Sequence, residues 1–241
     1  MPPAEMSPQI DTDALLVLGL VFFSVIIINM FPLLTLPFEF LYTAIHEMGH
    51  ATATSLTGGE VVGIKVYRRP TGRAKGVADR KGGNAFVVNP AGYLGVSIFS
   101  ASLILLSSLP HLAPYTLGAL GVFLIIMTLA FGRSLFTWFV GLGFGAGFIW
   151  VAWQAHLIWV IFLLNLVAIQ IGLAALVQFK ILGRAVRLDP SGKDDASQMA
   201  KQFRWWPFRK PMFWVRTWAI LSVLVIGAAF VYTWIWNVFF A

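Results

Sequence analysis

Apolar sequence runs almost unbroken from Ala14 to Ile45, and similar stretches recur along most of the 241 residues of this chain. Runs of that length restrict the backbone severely. Hydrocarbon offers no water to a peptide N–H or C=O, so a spanning segment must bond within itself as a helix or close into a barrel. Stretches of about 17–25 apolar residues suit helices that cross a bilayer. Seven can be read, at Ala14–Leu36, Phe38–Leu56, Gly92–Leu109, Tyr115–Phe131, Leu135–Trp153, Leu157–Phe179 and Phe213–Phe239. The expected fold is an all-α polytopic membrane protein of about six to seven transmembrane helices, forming a single membrane-embedded domain. A balance of 59% hydrophobic to 11% charged residues excludes an ordinary soluble domain.

Pro32 and Pro37 fall between the first two stretches. Proline donates no ladder bond and clashes with the preceding turn, so a break or sharp kink is expected there. Two crossings, or one crossing and a partial re-entry, both agree with the hydropathy. Cysteine is absent, which excludes disulfides and thiolate metal sites.

The formal charge of +7 would suit a nucleic-acid binder if it were spread over one surface, but it is not. Seven basic residues lie between Lys65 and Lys81, eight between Lys180 and Lys210, and the other two are Arg133 and Arg216. Under the positive-inside rule the segments 58–90, 132–134 and 180–212 face the cytoplasm, and these assignments alternate correctly across the third to sixth stretches. The partner expected for this charge is a bilayer with anionic headgroups, not nucleic acid. Trp205, Trp206, Trp214, Trp218, Trp234 and Trp236 bracket the last stretch and read as interfacial belts.

One segment names a reaction. His46-Glu47-Met48-Gly49-His50 lies in the second stretch, and residues four apart share a helix face, so His46 and His50 can grip one metal ion from consecutive turns. Glu47 then lies beside the ion as a general base, the H-E-x-x-H arrangement of zinc metalloproteases. With four histidines and four glutamates in the chain, chance would produce the motif roughly once in a thousand such compositions. The bland alternative, a hydrogen-bonded polar cluster, is costly inside an apolar helix.

After the motif, Thr57-Gly58-Gly59 is a glycine stop, and Glu60–Tyr67 is branched and partly alternating like a strand. Arg68–Arg73 reads as a basic turn, with Gly76-Val77-Ala78 and Ala85-Phe86-Val87-Val88 as returning strands. A small cytoplasmic β-hairpin or meander is expected, serving as cover over the metal helix or as an edge for an unwound substrate. Asn89–Gly95 enters the third stretch with small residues that permit close backbone approach. The alternating run Gly141, Gly143, Gly145 and Gly147 reads as helix packing or as a kinked span.

A catalytic zinc site usually keeps three protein ligands and an open position for water. The extended motif that adds a third histidine is absent, because Ala53 and Leu56 occupy its positions. His111 and His156 fall in links assigned to the outer face, opposite the metal helix. Glu39, about two turns before His46, is too far along the axis to share the ion. Glu60, Asp79, Asp189, Asp194 and Asp195 remain, and local chemistry does not choose among them.

Ala44–Ala51 followed by Leu56-Thr57-Gly58-Gly59 resembles the signature of the M50B-like group of membrane metallopeptidases, relatives of the site-2 proteases. The likeness continues in Ala91–Gly95, and Asp194–Ala200 is similar to that group's Ser-Asp-Ala-x-x-Leu-Ala segment ahead of a final span. The resemblance implies Asp195 as the third ligand, with Asp194 standing where the group has serine. The Asn-Pro-x-Asp-Gly segment of typical site-2 proteases is missing. The expected activity is zinc-dependent intramembrane proteolysis: His46, His50 and Asp195 hold Zn²⁺, Glu47 is the catalytic base, and the substrate is a membrane protein or peptide that unwinds locally. The rival expectations are a catalytically silent scaffold, with a closed site that recruits Asp194, and a transporter, which would place ionisable residues on several spans.

Overall fold

The computed structural model describes residues 12–68, 74–131, 135–189 and 192–236. The N-terminal tail, the tip of the basic turn at 69–73, the basic link at 132–134 and the end of the last stretch beyond Trp236 lie outside the described residues.

Every apolar stretch becomes a helix. The order is α1 (Thr12–Met30), α2 (Pro32–Leu56), β1 (Glu60–Arg68), β2 (Ala74–Lys81), α3 (Ala85–Ser107), α4 (Ala113–Phe131), α5 (Leu135–Gln154), α6 (Leu157–Leu188), the short α7 (Asp195–Ala200) and α8 (Pro211–Phe230). A π-helical segment, Val231–Trp236, continues α8. Among the described residues α3, α4, α6 and the extended α8 are long and apolar enough to cross a membrane. Shorter apolar stretches lie in α1 and α5, over Leu15–Met30 and Trp138–Gln154. Helix α2 is 25 residues long, but its histidines, Glu47 and threonines make it too polar for that set.

Several boundaries differ from the sequence reading, each for a local reason. The first break falls at Phe31, and Pro32 opens α2, a position whose N–H would have no helical partner anyway. Pro37 does not break the chain but lies inside α2, at the loss of a single ladder bond. Ala85–Val88 is not a strand: Asn84 caps α3 by accepting from Phe86 N at 3.0 Å, so the two valines form the first helical turn. Helix α6 continues past Phe179 to Leu188 and carries Lys180, Arg184 and Arg187 on its last turns.

The basic excursion is thus a two-stranded antiparallel hairpin, pairing Glu60 with Lys81 through to Arg68 with Ala74, with a bulge between Val61 and Gly63. Its buried Ile64 packs with Phe40, Met48 and Ala51 of α2, and with Met127 and Val140 of α4 and α5. Both ends of the hairpin meet at the end of α2. There the Thr57 hydroxyl accepts from Asn84 N at 2.9 Å. A β-carbon on Gly59 would strike Gly83 N and Lys81 O, so only glycine permits this approach.

Helix α6 is the spine of the bundle. Val160, Leu164, Ala168, Ile171 and Ala175 recur at three- and four-residue spacing and are almost fully buried, as one stripe of an interior helix requires. Polar bonds lock its neighbours. Ser100 Oγ of α3 donates to Ala168 O at 2.8 Å, and Ser107 Oγ donates to Asn165 Oδ1 at 2.9 Å. Asn29 of α1 donates to Gln170 Oε1 at 3.2 Å. Interhelical bonds of this kind average about 0.6 kcal/mol in membranes, enough to fix register without dominating the fold.

The glycine run in α5 resolves into two faces. A β-carbon at Gly141 or Gly145 would strike Thr128 or Gly121 O of α4, whereas Gly143 and Gly147 face open space. The tryptophans also divide. Trp205 and Trp206 are exposed, as belts are, but Trp218 and Trp234 are buried in the bundle, because their positions on α8 and its extension face α3 and α6.

Candidate metal centre

One turn of α2 brings His46 and His50 together, with their Nε2 atoms 3.1 Å apart. Asp195 completes the group from the far end of the sequence. Its Oδ2 lies 3.3 Å from His50 Nε2 and 3.9 Å from His46 Nε2. Among the described residues this is a group that could hold a metal ion, with one ligand atom from each residue and all within 4.8 Å of one another.

Asp195 is delivered by a helix that could not stand alone. Six residues are too few to repay helix nucleation, so α7 depends on its cap and its packing. Asp194 accepts from Ser197 N at 2.9 Å and from Ser197 Oγ at 2.7 Å, closing the first turn. Ala196 and Met199 are buried with Phe179, Leu182 and Val186 of α6 and with Val215 and Trp218 of α8. Asp194 therefore caps the helix, and Asp195, the next residue, faces the histidines.

Further contacts orient the rings. A carbonyl can only accept, so the 2.7 Å contact of His50 Nδ1 with Val88 O places the proton on Nδ1 and leaves the Nε2 lone pair free. His46 Nδ1 lies 3.4 Å from the Tyr42 hydroxyl. The Tyr93 ring meets the His46 ring edge-on, with centroids 4.6 Å apart, and Phe179 and Trp218 support it from behind.

The donor set fits a divalent metal. Two imidazole nitrogens and a carboxylate oxygen are ligands that Zn²⁺ accepts in three-ligand sites. The imidazoles also pack closely on α3: a β-carbon on Gly92 would collide with His50 Nε2 and with His46 Cε1 and Nε2, so the bare backbone there is needed for the group to form. His46 and His50 are both buried, and their contacts with Tyr42, Val88 and Asp195 supply the partners that buried polar groups need.

Glu47 follows His46 on α2 and is half-buried. Glu39 and Asp194 do not join the group, and neither do His111 and His156, which are exposed in the links before α4 and α6. Sequence reasoning missed the Val88 carbonyl, Tyr42 and Tyr93. A backbone acceptor leaves no trace in residue type, and aromatic residues are too common here to stand out. Gly92 did carry a signal, as part of a small-residue segment suited to close approach.

A buried His–His–carboxylate group in an apolar helix bundle is a set that could hold a metal ion. Comparison with known families agrees: the chain belongs to the Peptidase M50B-like family, whose model matches residues 15–229. The match spans the metal helix, the hairpin and α7. No curated protein and no solved structure matches the chain significantly.

Proposed function

We propose that this protein is a zinc-dependent endopeptidase that cleaves membrane proteins within the bilayer, towards the cytoplasmic leaflet. The observation that carries the reading is the three-membered group of His46, His50 and Asp195, with Glu47 adjacent in sequence. Three protein ligands leave one position open, as catalytic zinc sites do. A closed structural site would need a fourth, and the candidate for it, Asp194, is engaged by Ser197 through both of its oxygens.

Bound at this group, Zn²⁺ would polarise a substrate carbonyl and lower the pKa of water to about 7. Glu47 takes the proton from the attacking water and returns it to the leaving amine. The hydrogen bond to Val88 O keeps His50 in one tautomer throughout. Asp195, at the start of α7, ties the site to the basic segment between α6 and α8, which the positive-inside rule places in the cytoplasm. A substrate helix has its peptide groups sealed by internal bonds, so it must unwind before entry.

The test uses full-length protein in matched, metal-loaded amounts and a fluorogenic transmembrane peptide. Glu47→Gln is expected to keep its metal and to cleave about 10²–10⁴-fold more slowly than wild type. Equal rates would end the protease reading.

A further inference from the structure

A buried amide lies one helical turn from the metal group. Asn89 on α3 is 7% exposed, and among the described residues its Nδ2 has no hydrogen-bond partner. An unsatisfied buried donor is a cost to the folded protein and calls for a reason.

Its neighbours on α3 fix the side it faces. Gly92, three residues on, abuts His46 and His50. Tyr93, four residues on, meets His46 and packs against Trp218 of α8. Phe86, three residues back, packs edge-on against Phe203, just beyond α7. Residues three and four apart on a helix share a face. Asn89 therefore falls between the direction that meets α2 and the direction that meets the α7–α8 segment. His50 of α2 and Asp195 of α7 come within 3.3 Å of one another. The carbonyl of the preceding residue, Val88, accepts from His50 Nδ1, so this turn of α3 is level with the site.

We propose that Asn89 is a catalytic residue whose Nδ2–H donates to the oxygen of the scissile carbonyl. The proposal rests on the peptidase reading above and supplies the oxyanion donor that the His-Glu motif does not. When water adds to the carbonyl carbon, the C=O π pair moves onto oxygen and Glu47 takes the water's proton. The Asn89 amide then bonds an oxygen carrying negative charge, a stronger acceptor than the ground-state carbonyl. On collapse the C=O bond re-forms, the C–N bond breaks, and Glu47 protonates the amine. Asn89 gives up no proton. In the resting protein its donor waits without an acceptor, a cost to stability of the kind that preorganised sites carry.

That cost makes the proposal testable without relying on activity alone. Asn89→Leu and Asn89→Ala in the full chain are compared with wild type for metal content, thermal stability and cleavage of the fluorogenic transmembrane peptide. The expected result has three parts. Both variants keep wild-type metal content, both lose about 10²-fold in kcat with KM within about threefold, and Asn89→Leu melts above wild type because a buried orphan donor has been removed. Loss of metal would mean that Asn89 orients Asp195 instead, and would overturn the proposal. So would a lower melting temperature for Asn89→Leu, or a kcat within about fivefold of wild type. Equal cleavage by wild type and Glu47→Gln would overturn the peptidase reading and this proposal with it, and that result comes from a different pair of proteins.

Discussion

The α4–α5 and α2–α3 crossings both use glycine, but to different ends. Where α4 meets α5, Gly121 and Gly145 lie against each other's helix and Gly141 lies against Thr128. The groups met there are backbone, aliphatic carbon, a hydroxyl and, at Gly118, the Trp153 ring, and the result is packing. Where α2 meets α3, Gly49 lies against Ala91 O, and Gly92 lies against the imidazoles of His46 and His50. The missing side chain at Gly92 lets the two imidazoles of the candidate site approach α3. Small residues at a helix crossing therefore show only that two backbones come close. The groups they admit decide whether the crossing is a site.

Substitutions at the two crossings should separate these roles. The largest effect is expected for Gly92→Ala, whose methyl group would enter the space between the histidines. Elemental analysis of the purified variant should find no bound metal, and full occupancy would make the two crossings equivalent. Asp195→Ala comes next. It removes a ligand, and metal affinity in a competition titration should fall by more than the roughly 10–100-fold typical of losing an outer-shell partner. Gly121→Ala overpacks the α4–α5 crossing and should cost about 1–3 kcal/mol of stability with metal content unchanged. A loss of metal there would couple the crossings and break the contrast. The smallest effect is expected at Gly143, where an added β-carbon meets nothing within 4 Å. Gly143→Ala should stabilise the helix by about 0.4–1 kcal/mol, read as a small rise in melting temperature.

Much of this was legible in the sequence, and the parts that were not share a cause. The helices could be read because hydrocarbon leaves the backbone few alternatives, so apolar length translates into structure. The histidine pair could be read because both residues lie on one helix period. Asp195 lay beyond local reasoning: nothing in its neighbourhood distinguishes it from Asp189 or Asp194, and only the resemblance singled it out. The structure adds a reason for the distinction. Asp194 is the cap of α7, so its neighbour is the residue turned away from that helix's own needs. Ala85–Val88 misled because paired valines suit strands, whereas Asn84, one residue earlier, decided the matter by capping a helix. Trp218 and Trp234 misled because a tryptophan near a span end can face the bundle as well as the interface, and residue type does not record direction.

The knot at the end of α2 has a consequence for how this protein can change. Thr57 and Asn84 are joined by a hydrogen bond of 2.9 Å, so the chain leaves the bundle and returns to it at nearly one point. The hairpin between them starts and ends at this closed neck, and Ile64 anchors its first strand on α2, α4 and α5. Changing the length of its strands beyond Ile64 should leave the distance from α2 to α3, and the place of Val88 relative to His50, unaltered. Changes to the hairpin beyond Ile64 can therefore leave the setting of α2 intact, as a tool keeps its handle when the bit is changed.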